Sequence, residues 1–89
     1  MIHKNLPKSS GIYQILNTTT EKCYIGRSFN IRERIRNHFK ALSDNKHYNK
    51  ILQGSYNRYG ITSFRIVILE YVVDKYEILA NREQYYKDK

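Results

Sequence analysis

At 89 residues the chain is shorter than one average domain, which leaves room for a single small core and excludes a second folded unit within it. Leu, Ile, Val and Phe supply 23 of those residues, enough for a globular fold, while 16 Lys and Arg against 8 Asp and Glu leave a net charge of +8 that points to a polyanionic partner. The single cysteine, Cys23, excludes an internal disulfide framework and a cysteine-cluster zinc site; a half-buried residue in a reducing compartment is the simpler reading.

In chain order, Gly11 to Leu16 is β-prone, the polar run Asn17 to Glu21 reads as a turn, and Lys22 to Gly26 is β-prone again, so a β-hairpin is predicted. A turn centred near Thr18 and Thr19 sets Tyr13 opposite Tyr24, with both phenols on one face. Asn30 followed by Glu33 is an Asn variant of the capping box, and Ile31, Ile35, Phe39 and Leu42 recur at helical spacing, which predicts a first helix to about Ser43. A second helix is expected from Asn49 to Tyr59, packing through Ile51, Leu52, Ser55, Tyr56 and Tyr59, with Gly60 as a left-handed cap. Gly54 inside it costs about 1 kcal/mol relative to Ala. Phe64 to Val72 reads as a third, largely buried strand, and Asp74 with Glu77 opens a last helix over about 74–88. The order is β-β-α-α-β-α in one domain spanning 1–89. No apolar stretch is long enough for a bilayer, the longest being Ile66 to Leu69, and Met1 to Ser10 has no signal-peptide core, so a soluble intracellular protein is expected.

Some residues do not fit a purely structural account. Arg34 and His38 stand four apart on one helix face, as either a solvated basic face or a site. On the last helix Tyr76, Leu79, Ala80 and Tyr86 form an apolar stripe, and the position that continues it is Glu83. A carboxylate placed there either caps Arg34 or another cation, or holds a divalent ion. Tyrosine is over-used, nine against three Phe and no Trp, which suits a polar, aromatic-lined surface. Tyr56, Tyr59, Tyr71 and Tyr76 are assigned to the core and its edge.

Gly11-Ile12-Tyr13, ten residues, then Tyr24-Ile25-Gly26 resembles the GIY-YIG nuclease superfamily. Ser28, Asn30-Ile31, Arg34, His38-Phe39, Asn49, Leu52-Gln53, Tyr59-Gly60, Phe64 and Glu83 follow in order, and look like the nuclease domain of phage and group I intron homing endonucleases from Gly11 to Glu83. The resemblance implies an α+β fold, a small three-stranded antiparallel sheet flanked by three helices. It also implies Tyr13, Tyr24, Arg34, His38 and Glu83 as catalytic residues, Gly26 as the glycine that keeps the cleft floor open, and Glu83 as the ligand of one Mg²⁺ or Mn²⁺ ion. Arg27, Ser28 and Asn30 are the candidate DNA contacts, and Arg27 either holds a cation near the nucleophile or meets a phosphate.

That chemistry is physically coherent. Phosphodiester hydrolysis needs a deprotonated water, in-line approach and stabilisation of charge on the phosphate and leaving oxygen. Arg34 forks across phosphate oxygens. A phenol is a poor base at its ordinary pKa of about 10, so the tyrosine that takes the proton must sit beside cations or a His that passes it on. The family gives that role to either motif tyrosine; Tyr13 is preferred, oriented by Tyr24 and His38.

Many family members carry a site-ordering Asn beyond the last helix, whereas this sequence stops at Lys89; either the domain is trimmed or its site lacks that support. The expectation is a metal-dependent DNA endonuclease domain, monomer favoured, cytoplasmic or organellar and not secreted. The alternatives are a non-catalytic nucleic-acid-binding module on the same scaffold, a repair-type (excinuclease-like) incision domain, or a basic RNA- or ribosome-associated protein. The last leaves Glu83 unexplained.

Overall fold

The computed structural model describes residues 5–73 and 75–89. Asp74, the expected cap of the last helix, lies outside the described residues. The elements follow the expected order: β1 (Gly11–Asn17), β2 (Cys23–Ser28), α1 (Ile31–Ser43), α2 (Lys50–Tyr59), a 3₁₀ turn (Ile61–Ser63), β3 (Phe64–Tyr71) and α3 (Tyr76–Lys87). The three strands form one antiparallel sheet in the order β2-β1-β3.

That order corrects the reading of β3. It is an edge strand, mostly half-buried, because the hairpin leaves β1 in the centre and β3 adds to its free side. Its continuous apolar character arises because both sheet faces are covered. Tyr13 and Ile15 of β1 pack with Ile31, Ile35, Phe39 and Leu42 of α1, Leu52 of α2 and Phe64 of β3 on one side. On the other, Ile12 packs with Val72 and with Leu79 of α3. The period-two alternation of β1 thus feeds two small cores.

The hairpin register also differs from the expected one. Tyr13 pairs with Gly26, and Tyr24 pairs with Ile15. The loop is longer than a turn centred on Thr18 and Thr19: Asn17 Oδ1 accepts the amides of Thr19 and Thr20, and Glu21 adopts φ +65° before the chain rejoins at Lys22. The two phenols still share a face, now on a diagonal, and Gly26 lies beneath Tyr13.

α1 starts at Asn30, whose side chain accepts the Glu33 amide, while the Asn30 amide goes to Ser28 Oγ rather than back to Glu33. The amides of Ile31 and Arg32 meet the carbonyls of Ser9 and Pro7 at 3.1 and 3.0 Å, satisfying first-turn donors that have no partner inside the helix. Asn49 caps α2 through the Leu52 amide. Gly60 ends it at φ +78° and ψ 170°, a conformation other residues rarely adopt, although not the left-handed helical one expected. Lys75 stands at the N-cap of α3 with no side-chain cap bond. Arg82 instead fastens α3 to β3 by gripping the Glu70 carboxylate through Nε and Nη2, the latter at 2.6 Å.

Several side chains expected inside are exposed: Ile51 on α2, Tyr71 at the end of the edge strand and Tyr76 in the first turn of α3, with relative exposures of 84%, 62% and 62%. Cys23 is exposed as well. In each case the element forms as expected while the residue falls at its outer end or outer face.

Leu79 is the buried residue of α3, so Leu79→Ala should cost about 2–4 kcal/mol in urea unfolding, whereas Ile78→Ala on the exposed side should stay within about 0.5 kcal/mol.

Candidate active site

Tyr13 reaches the site from the central strand with no solvent exposure. A Cβ at position 26 would overlap the Tyr13 ring and hydroxyl, so only glycine admits the phenol at this crossing of β1 and β2. The Tyr13 hydroxyl lies 2.6 Å from His38 Nε2, and the rings meet edge-on. His38 is itself buried, on the inward face of α1, and its Nδ1 lies 2.7 Å from Nε2 of His47.

His47 was not singled out from sequence. It lies in the polar connection between α1 and α2, where no hydrophobic period marks it, yet it is 1% exposed. Its amide donates to Gln53 Oε1 and its Nδ1 accepts the Asn49 amide at 3.0 Å. The next residue, Tyr48, is exposed, stacks on His47, shares a hydrogen bond with the Tyr24 hydroxyl and receives one from Arg34 Nη2 at 3.4 Å. The signal that could have flagged the pair is a His-Tyr dipeptide directly before the N-cap Asn49.

Four of the expected residues therefore converge. Tyr13, Tyr24 and His38 are in direct ring or hydrogen-bond contact, and Arg34 joins them through Tyr48 and beside the Tyr13 hydroxyl. Burial lowers the His38 pKa to about 3, and the positive charge of Arg34 adds to the effect, so this imidazole is neutral at physiological pH. Burial pushes the Tyr13 phenol well above its ordinary value, and Arg34 pulls in the opposite direction. Tyr24 is raised too, by burial and then by its bond to Tyr48.

Glu83 stands on α3, on the other side of β2. Of the two sequence readings of this carboxylate, the structure displays a cation cap, but the partner is Arg27 rather than Arg34. Arg27 Nη1 lies 2.5 Å from Oε1, and Lys87 Nζ approaches the same oxygen at 3.6 Å. Alternation along β2 turns Arg27 toward α3 and Tyr24 and Gly26 toward α1, which is why Arg27 wins this contact. Tyr76 supports the guanidinium from its hydroxyl and ring. Ser28 and Asn30, the other two candidate DNA contacts, hold the start of α1 through Ser28 Oγ and Asn30 Oδ1.

Among the described residues no three His, Cys, Asp or Glu side chains cluster as a closed metal cage. A single carboxylate whose Oε1 takes both cations fits a hard divalent ion that keeps most of its water and completes its shell with substrate oxygens.

Residues 9–89 match the GIY-YIG catalytic domain, and the chain belongs to that family of endonuclease domains. It is 36% identical over 77 residues to intron-associated endonuclease 1 of Enterobacteria phage T4, covering 86% of this chain and 31% of that protein. UvrABC system protein C of Bdellovibrio bacteriovorus is 30% identical over 77 residues, which are 11% of its length. The catalytic domain of the homing endonuclease I-TevI has the same fold, with a TM-score of 0.86 and 34% identity, covering 90% of this chain and 86% of that one. The chain thus spans less than a third of the curated relatives it matches.

Because His38 titrates near 6.5 when unfolded and about 3 when folded, the unfolded chain binds the extra proton between those values. Stability should hold above pH 6.5 and fall as the pH drops toward 3. Urea midpoints measured at pH 7, 6 and 5 should show the decline, and His38→Gln should flatten it.

Proposed function

We propose that this domain hydrolyses phosphodiester bonds of DNA in the manner of a homing endonuclease, using one Mg²⁺ or Mn²⁺ ion. The observation that carries the reading is the convergence of Tyr13, Tyr24, His38 and Arg34 on one face of the hairpin with Glu83 across the β2 edge.

In this scheme Tyr13, as phenolate, takes the proton of the attacking water. Arg34 binds the non-bridging phosphate oxygens, and its charge works against the burial that otherwise disfavours the Tyr13 phenolate. His38 holds the phenol oxygen in place, and Tyr24 with Tyr48 fixes the guanidinium from the opposite side. Glu83 would hold the divalent ion, which when bound would stabilise charge on a phosphate oxygen and on the leaving oxygen. Arg27 would then pass from Glu83 to a backbone phosphate, beside further contacts from Ser28 and Asn30.

The net charge of +8 supports a DNA partner, bound through phosphates with little sequence preference by this domain alone. The greater identity to the phage endonuclease than to the UvrC proteins favours homing over repair incision. A second reading, a binding module without turnover, draws on the Glu83 carboxylate being engaged by Arg27 and Lys87. Monomeric action inside a cell completes the proposal; among the described residues no helix is long and apolar enough to cross a membrane.

Nicking of supercoiled plasmid separates these readings. Activity should require Mg²⁺ or Mn²⁺, and Arg34→Ala and Glu83→Ala should each lower it by about 10²-fold or more. Activity that survives both EDTA and Arg34→Ala would sink the proposal, and salt-sensitive binding without cleavage would favour the binding module.

A further inference from the structure

We propose that His47 is a positioning residue that locks His38 in the Nε2–H tautomer, so that His38 donates to the Tyr13 oxygen and the histidine pair accepts no proton from it. The inference rests on the reading of Tyr13 as the residue that handles the proton of the attacking water.

The lock starts at one backbone amide. The Asn49 N–H points at His47 Nδ1 from 3.0 Å, and an amide nitrogen can only donate. His47 Nδ1 is therefore a bare lone pair, and the hydrogen of the neutral ring is on Nε2. That Nε2 lies 2.7 Å from His38 Nδ1, which must accept. The hydrogen of the neutral His38 ring is then on Nε2, 2.6 Å from the Tyr13 oxygen, and is donated to it. Each link fixes the next.

The reverse chain fails at its far end. If Tyr13 donated to His38, then His38 Nδ1–H would donate to His47 Nε2, and His47 Nδ1–H would face the Asn49 N–H. A cation on either ring meets the same conflict, because it places a second hydrogen on Nδ1. Burial lowers the pKa of both histidines, which agrees with neutral rings. Water is no substitute partner, since His47 is 1% and His38 3% exposed. The amide direction is itself secured: His47 N–H is held by Gln53 Oε1, and Gln53 Nε2 donates to Leu42 O and Asn57 Oδ1, each at 2.9 Å.

The consequence is chemical. One lone pair of the Tyr13 oxygen is filled by His38, so its own hydrogen, or the remaining lone pairs of the phenolate, is directed away from the histidines, to the side where Arg34 lies. A proton gained from water leaves by that side and does not pass down the histidines. The role is that of a group holding an imidazole in the useful tautomer, here exerted by a second imidazole.

The test is long-range ¹⁵N–¹H correlation of the imidazoles in the metal-free protein at neutral pH, with His38→Gln assigning the resonances. Both rings are expected as Nε2–H with bare Nδ1. His47→Gln keeps a donor to His38 and should preserve the His38 tautomer. His47→Leu should release His38 into a tautomer mixture and lower the nicking kcat at least ~10-fold below His47→Gln, with KM for DNA little changed. A wild-type spectrum with His38 as Nδ1–H or as a cation would overturn the proposal, as would an unchanged His38 tautomer in His47→Leu; should that variant not fold, the wild-type spectrum decides. Failure of the wild type to nick DNA, with the tautomers as expected, would instead overturn the cleavage reading and leave the lock standing.

Discussion

A phenol with no solvent exposure sits on the central strand of the sheet, and the hydroxyl of this residue, Tyr13, has to be satisfied from within the protein. That requirement organises the rest. The ring fits because position 26 carries no Cβ, which ties β1 to β2 at one register. The hydroxyl is met by His38, which obliges α1 to present an imidazole among its buried aliphatic residues Ile31, Ile35, Phe39 and Leu42. A buried imidazole has a second nitrogen to satisfy, and this brings in His47, then the Asn49 amide and Gln53 at the start of α2. One buried oxygen thus determines how the hairpin and two helices are arranged.

The same network is costly unless complete. Every member is neutral and partnered, and no buried side-chain N or O among the described residues lacks a hydrogen bond. Neutrality follows from burial together with the adjacent Arg34, which raises the free energy of a cationic His38 or His47. The site therefore concentrates its positive charge in one guanidinium at the rim and keeps its interior uncharged, a suitable distribution for receiving a phosphate without repelling it or stranding a buried ion.

Much of this was legible in the sequence, and the exceptions share a cause. The element order and the start of α1 at Asn30 and of α2 at Asn49 came from local patterns that the tertiary structure reinforces, and the antiparallel α+β arrangement from the family resemblance. The hairpin register did not, because Glu21 adopts a positive φ that a non-glycine residue does not announce. His47 and Tyr48 were missed because they lie between helices, where no periodicity applies, and their partners are nine and twenty-four residues away. For Glu83 the sequence showed that a carboxylate replaced a core residue without showing which cation faced it. Only the pleat of β2 separates Arg27 from the Tyr24 side.

That pleat also explains why a site can be built from two separate cores. β2 is an edge strand, so a ligand at its free side meets both faces of the sheet. Tyr24 and Gly26 project to the face packed by α1, and Arg27 to the face packed by α3. The phenols and imidazoles on one side and the carboxylate on the other therefore need no common cavity; they need one strand thin enough to be reached around. The arrangement also keeps Glu83 away from Arg34. An ion pair between them would neutralise both the group proposed to bind a phosphate and the group proposed to hold a metal, whereas Arg27 and Lys87 hold Glu83 at Oε1 and leave Arg34 with a tyrosine hydroxyl.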